Sequence, residues 1–247
     1  MGYDVTFTHK DLECVENNKQ RITYTYNANG IRTNKVIYNK TKNTTTNVEF
    51  VLDGNKIIKE VRTSAQNYTI KYYYDSNSEV IGFNYNNNDY FYLKDVQGNV
   101  SKIIDTSGNI MVEYYYSCYG YNIKTIDNSN ISLSTINPYR YRSYYQDNET
   151  GWYYLNSRYY DSDTCRFISM DDISYLGASN TINSYNLFTY CENNPVMYVD
   201  YEGNLSKCIF KVSSLFSVGI VRVIFYKKKK YEILEWNDND YKYNQND

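Results

Sequence analysis

At 247 residues with a formal net charge of −2, the chain is long enough for one large domain or two ordinary ones, and its bulk charge offers no footing for a nucleic-acid partner. Hydrophobic content reaches 42% only because tyrosine is counted: there are 33 tyrosines against 9 phenylalanines and 2 tryptophans. Two prolines and 11 glycines exclude collagen-like and proline-rich chains.

The N-terminus, MGYDVTFTHKDLE, lacks the basic run and apolar stretch of a secretory leader. It carries the one histidine, His9, on which any histidine-dependent catalytic triad would rest. The cysteines (Cys14, Cys118, Cys165, Cys191, Cys208) are odd in number and never in C-x-x-C, so neither a disulfide framework nor a zinc site is expected. From residue 20 onward alternation dominates. "RITYTYNANGIRTNKVI" sets Ile22, Tyr24 and Tyr26 at period two before Asn29-Gly30. "VEFVLDGNKIIKEVR" does the same around Asp53-Gly54, and "YFYLKDVQGNVSKIIDTSGNIMVEYYY" adds Gly98-Asn99 and Gly108-Asn109. Asn-Gly and Asp-Gly between apolar runs predict β-hairpins, here with type I′ turns, which need positive φ at both central residues. Short strands joined this way predict an all-β chain of antiparallel hairpins, with no long helix before residue 170.

A repeating element runs through these hairpins: aromatic-x-aromatic, an Asp or Asn, two or three residues, Gly, then an apolar residue. It occurs as Tyr24-Tyr26-Asn27-Gly30-Ile31, as Tyr92-Asp95-Gly98-Val100 and as Tyr145-Asp147-Gly151-Tyr153. The acid or amide caps the turn, glycine supplies the left-handed conformation, and each unit buries its face only against the next. This series resembles the YD-repeat (Rhs) family, which includes the teneurin shell domain. "YFYLKDVQGNVSKIIDTSGNIMVEYYYSCYG", "NPYRYRSYYQDNETGWYYLNSRYYDSDTCRFISMDD" and "NLFTYCENNPVMYVDYEGN" resemble the family's hairpin pair, its associated core and its closing segment.

The resemblance implies part of a coiled strand shell with a mixed loop and short-helix core. The expected division is a lead-in over 1–20, shell over 21–136, associated core over 137–204 and a variable tail over 205–247. It also implies walls whose tyrosine hydroxyls meet water or cargo. Too few strands are present to close a shell, so a longer parent or an orphan copy is expected, with self-association through open sheet edges. Several positions depart from the pattern: Cys165 stands at a turn glycine, Met170, Asp172 and Tyr201 replace prolines, and Asn204 replaces an apolar residue.

In the family the associated core can cut the chain just after itself by aspartyl chemistry. The resemblance puts Asp171 and Asp200 at the two carboxylate positions and the cut between Asn204 and Leu205, with Arg140, Arg142 and Arg166 as positioning groups. Two close carboxylates can share a proton, one serving as base and the other as acid. The competing reading makes both aspartates turn residues. No metal-ligand spacing, phosphate-binding loop or nucleophile elbow is present, so neither metal nor cofactor is expected.

The tail contains "VGIVRVIFY" and "KYEILEW", read as two strands around a lysine turn. A membrane helix is disfavoured because Lys211 and Arg222 interrupt the apolar run, at about 2.5–3.5 kcal/mol for a charge near mid-bilayer. Three functions remain open: a structural shell segment around a C-terminal effector, a single-turnover self-protease, and a surface adhesion module. The compartment is not legible; a secreted or cell-surface parent follows only from the resemblance.

Overall fold

The computed structural model describes residues 2–8, 11–65, 67–178, 182–204, 207–208, 210–214, 221–227, 230–237 and 240–244, and only the backbone beyond 206. His9, Asn180 and Leu205 lie outside the described residues. Two compact units are present, Met1–Met170 and Asp171–Asp247.

The first unit is built on a twelve-stranded antiparallel sheet whose spatial order is its sequence order. Its strands are β1 (Asp4–Thr8), β2 (Asp11–Glu16), β3 (Gln20–Tyr26), β4 (Arg32–Asn39), β5 (Thr44–Asp53), β6 (Lys56–Thr63), β7 (Tyr68–Tyr74), β8 (Val80–Tyr85), β9 (Asn88–Lys94), β10 (Val100–Asp105), β11 (Ile110–Tyr116) and β12 (Asn122–Asp127). Among the described residues β1 and β12 are its two edges.

Strands β3, β7 and β11 deliver the same inward triplet: Ile22-Tyr24-Tyr26, Ile70-Tyr72-Tyr74 and Val112-Tyr114-Tyr116. The first two of each are buried and the third is half-buried. Each third hydroxyl donates to a backbone carbonyl of the preceding strand or its start: Tyr26 to Leu12 O at 2.8 Å, Tyr74 to Ile57 O at 2.8 Å, Tyr116 to Val100 O at 3.0 Å. Here lies the use of tyrosine over phenylalanine. The ring fills the core while the hydroxyl satisfies a carbonyl that burial would leave without a partner. These hydroxyls meet protein rather than the water or cargo expected from the sequence.

The even strands do not alternate throughout. Tyr26 pairs with Arg32 and Thr25 with Asn34, so Thr33 is bulged out; Ile58, Ile81 and Ser101 are skipped in the same way. Each bulge turns two residues three apart to the covered face: Arg32 and Lys35, Ile57 and Glu60, Val80 and Phe83, Val100 and Ile103. Repeated bulges also bend and twist the sheet.

The loops at Asn29-Gly30, Gly98-Asn99 and Gly108-Asn109 correct the type I′ expectation made for them, and residues 75–79 share their geometry. In residues 27–31, 75–79, 95–99 and 105–109 the first N–H donates to the last carbonyl and the fourth N–H to the first carbonyl. Only the fourth residue is left-handed: Gly30 at φ 73°, Ser78 at 66°, Gly98 at 80°, Gly108 at 82°. This is a type I turn closed by a bulged left-handed residue. The first side chain, Asn27, Asp75, Asp95 or Asp105, accepts from the third and fifth N–H groups. A Cβ at Gly98 would meet nothing within 4 Å. Gly98→Val should therefore lose about 1–2 kcal/mol, the left-handed penalty, while Gln97→Val, at a half-buried position with no positive φ, should cost less. Equal melting shifts for the two would contradict this turn assignment.

Residues 137–167 lie across the covered face and include a small four-stranded sheet, β13 (Tyr145–Gln146), β14 (Tyr153–Tyr154), β15 (Tyr159–Asp161) and β16 (Arg166–Phe167). The tyrosine doublets serve its two sides. Tyr154 and Tyr159 pair across β14 and β15 and face Arg32, while Tyr153 and Tyr160 stack and face the β11–β12 loop. The Tyr154 hydroxyl accepts from Arg32 N–H at 2.9 Å and the Tyr153 hydroxyl donates to Gly120 O at 2.9 Å. Through Tyr154 and Tyr153, adjacent residues bond to the start of β4 and to the β11–β12 loop, seven strand spacings apart, which in a flat sheet is roughly 34 Å. The sheet therefore curls around this strap.

Burial pushes the Tyr68, Tyr74 and Tyr154 hydroxyls up to about 12 and holds those of Tyr24, Tyr72 and Tyr159 well above the ordinary value. A folded-state value above the unfolded one, about 10, gives stability that is complete below pH 10 and lost as pH rises through 12. Tyrosinate absorbance from these residues should appear together with loss of β-sheet circular dichroism. Full ionisation near pH 10 with the sheet intact would contradict their burial.

Candidate functional site

The strap is held by a charge cluster inside the first unit. Arg32, Lys35 and Asp147 are 0% exposed. Arg32 Nη1 lies 2.7 Å from Asp147 Oδ2, and Lys35 Nζ lies 3.0 Å from Asp147 Oδ1 and 2.8 Å from Glu149 Oε2. Beside them Arg62 pairs with the fully buried Glu60, whose other oxygen accepts from Tyr72 and Tyr145, each at 2.9 Å. The Arg32 guanidinium lies 4.4 Å from the Tyr154 ring centroid, 4.7 Å from Phe50 and 5.0 Å from Tyr145, so the cation is roofed by π-faces. Burial by itself would raise the Asp147 carboxyl, but Arg32 and Lys35 outweigh it and hold it below the ordinary value. Burial likewise opposes Glu60 ionisation, and Arg62 and Lys35 overcome it.

Sequence reasoning placed Asp147 as a turn cap. The turn does form, with Gly151 N–H on Asp147 O at 2.7 Å, but the carboxylate points inward to the cluster. Arg32, Lys35 and Glu60 were missed altogether. The available signal was repeat alignment, since Arg32 stands where Ile57, Val80 and Val100 stand in later units.

Arg140 donates to Gln146 Oε1, Ser134 O at 2.6 Å and Asn148 Oδ1 at 3.0 Å, and lies 5.4 Å from the Tyr114 ring. Arg142 fixes the strap to the β9–β10 loop, its N–H on Asn99 Oδ1 at 2.9 Å and its guanidinium on Gln97 O at 3.1 Å. Arg166 is exposed on β16. These interactions of Arg140 and Arg142 organise the first unit.

Asp171 and Asp200 belong to the second unit, which holds short 3₁₀ turns (Ile173–Tyr175, Ile182–Tyr185, Cys191–Asn193), the pair β17 (Tyr198–Val199) and β18 (Lys207–Cys208), and the meander β19 (Phe210–Ser214), β20 (Val221–Lys227), β21 (Lys230–Asn237) and β22 (Asp240–Asn244). Both aspartates are buried, at 9% and 1% exposure. Asp171 N–H donates to Leu187 O, and Asp171 Oδ1 accepts from Asp172 N–H at 2.8 Å. Asp200 Oδ1 accepts from the N–H groups of Glu202, Gly203 and Asn204 at 3.3, 2.8 and 3.0 Å. That turn ends at Asn204, and the expected cleavage partner Leu205 lies outside the described residues.

No family model matches the chain. It is 32% identical over 183 residues to the tRNA3(Ser)-specific nuclease WapA of Bacillus spizizenii and 31% identical over the same length to the tRNA nuclease WapA of Bacillus subtilis. Each match covers 74% of this chain, which spans only 7% of the length of those relatives. Salivary gland surface protein 1 of Aedes aegypti is 26% identical over 196 residues, covering 75% of this chain and 5% of that protein. A crystal structure of TcdB2-TccC3 superposes with a TM-score of 0.68 at 21% identity, over 82% of this chain and 10% of that one, a likeness of fold. The ordered aromatic-Asp-Gly series, the strand meander it builds and these likenesses agree, and the chain belongs to the YD-repeat (Rhs) family.

Proposed function

We propose that the chain is a structural segment of a YD-repeat shell, from a bacterial polymorphic-toxin-like parent that encloses a C-terminal effector. On this reading residues 21–136 are wall, 137–204 the associated core and 205–247 the tail, in a truncated or orphan copy. The observation that carries the proposal is the strap over residues 137–167, clamped by Asp147 and Glu149 to Arg32 and Lys35 across a curled sheet. An associated core must be held against the shell wall, and this arrangement supports that role. The relatives' nuclease activity is theirs, since the chain matches 7% of each. Strands β1 and β12 leave sheet edges that recruit other strands. Sedimentation velocity on the isolated chain should show self-association, and a monodisperse folded monomer would argue against the need for a longer shell.

A second reading rests on Asp200, whose turn brings a buried carboxylate beside Asn204. If Asp171 and Asp200 form a proton-sharing pair, the 204–205 bond is cut once. Intact mass after prolonged incubation between about pH 4 and 8 tests it. Cleavage lost in both Asp171→Asn and Asp200→Asn supports a self-protease; a wild-type chain that stays whole leaves the structural reading alone.

A further inference from the structure

Cys165 sits where the repeat expects glycine and adopts the left-handed φ of 60° that glycine adopts at no steric penalty. Its turn otherwise keeps the family logic, with Asp161 accepting from Asp163 N–H at 3.0 Å and from the Thr164 hydroxyl at 2.9 Å. A side chain is therefore retained at a position that disfavours one. Tyr160, at the foot of that turn, reaches the β11–β12 loop, which is docked by three hydroxyls: Tyr141 on Cys118 O at 2.7 Å, Tyr160 on Tyr119 O at 2.7 Å and Tyr153 on Gly120 O at 2.9 Å. Tyr160 stands next to Asp161 at the start of the Cys165 turn, and its ring packs on Phe167 just after that turn, at 5.9 Å. The loop carrying Cys118 and the turn carrying Cys165 are thus fixed on one ring system. Both thiols are free, Cys118 exposed and Cys165 half-buried.

We propose that Cys118 and Cys165 are a redox pair that closes an intramolecular disulfide between the β11–β12 loop and the β15–β16 turn. The oxidant is a small-molecule disulfide such as oxidised glutathione. The exposed Cys118 thiolate attacks one glutathione sulfur and expels the other as thiolate. Cys165 then gives its proton to solvent and attacks the Cys118 sulfur, expelling the second glutathione. Two protein thiols are oxidised and one disulfide is reduced to two thiols. Burial pushes the Cys165 thiol up, and its neighbour Cys118 pushes it the same way, ahead of Asp161 and Asp163. That order fits Cys118 as the entry thiol and Cys165 as the resolving one. The bridge would fasten the strap to the far end of the sheet.

The test treats the reduced full-length chain with oxidised glutathione and maps unreduced peptides by mass spectrometry. The expected result is a mass loss of about 2 Da and a peptide linking Cys118 to Cys165. The melting temperature should rise on oxidation and return with reductant. Cys165→Gly, which restores the turn residue, should fold and instead hold a glutathione adduct at Cys118. A folded wild-type chain in which Cys118 and Cys165 end as separate adducts, or pair with other cysteines, overturns the proposal.

Discussion

Asp147→Ala is expected to destabilise the first unit by about 3–5 kcal/mol, because it leaves the buried Arg32 and Lys35 cations without their shared carboxylate. A typical domain has roughly 5–15 kcal/mol in total, so the variant should sit near the edge of folding. The loss is one of pairing rather than packing. Replacing Arg32 and Lys35 by methionine together with Asp147→Leu should recover much of it, since removing these three charges also removes their desolvation penalty. Glu149, left without Lys35, lies near Arg62 and is partly exposed. The same residues set the acid limit. The folded-state Asp147 and Glu60 carboxyls are both depressed, so their stabilisation is present above the unfolded value near pH 4 and is lost as pH falls through their folded values. Urea unfolding followed by circular dichroism reads both effects. A loss below about 1 kcal/mol for Asp147→Ala would show that the cluster contributes little.

The second large effect is expected at Gly120. Its φ is +83°, and a Cβ there would lie 2.5 Å from the Tyr141 ring. That ring cannot retreat. Tyr141 is 0% exposed, held between Tyr144 and Tyr153 at 6.0 and 5.9 Å, with its hydroxyl on Cys118 O. Gly120→Ala therefore adds overpacking, about 1–3 kcal/mol, to the left-handed penalty of about 1–2 kcal/mol. Gly98→Ala carries only the second term, because its Cβ would stand in open space. Thermal melts of the two variants separate packing from backbone strain, and equal shifts would contradict the docking of the loop on the strap.

The strands were legible because Tyr24 and Tyr26, or Tyr72 and Tyr74, stand two apart, and period two survives on the odd strands. The turn type was not, because a left-handed glycine satisfies both a type I′ turn and a bulged type I turn; hydrogen bonding from residues 27 and 31 decides between them. The charge cluster escaped for a different reason. Bulges at Thr33 and Ile58 shift the even strands from spacing two to spacing three, so Lys35 and Glu60 become inward residues although alternation from Arg32 or Ile57 points them outward. Asp147 sits in a turn motif by sequence, and its burial depends on partners 115 and 112 residues away. Asp171 and Asp200 were located by resemblance alone, since nothing in their local sequence separates a catalytic aspartate from one that closes a turn.

Strap and sheet are expected to form one cooperative unit, joined through Asp147, Arg32 and Lys35. Native-state hydrogen exchange tests it directly. The amides of Tyr153, Tyr154, Tyr159 and Tyr160 should open with free energies within about 1 kcal/mol of those in β3 and β4, and Asp147→Asn should lower both sets together. Free exchange in β13–β16 while β3 and β4 stay protected would mean that the strap is only laid on the sheet, and would contradict a single cooperative unit.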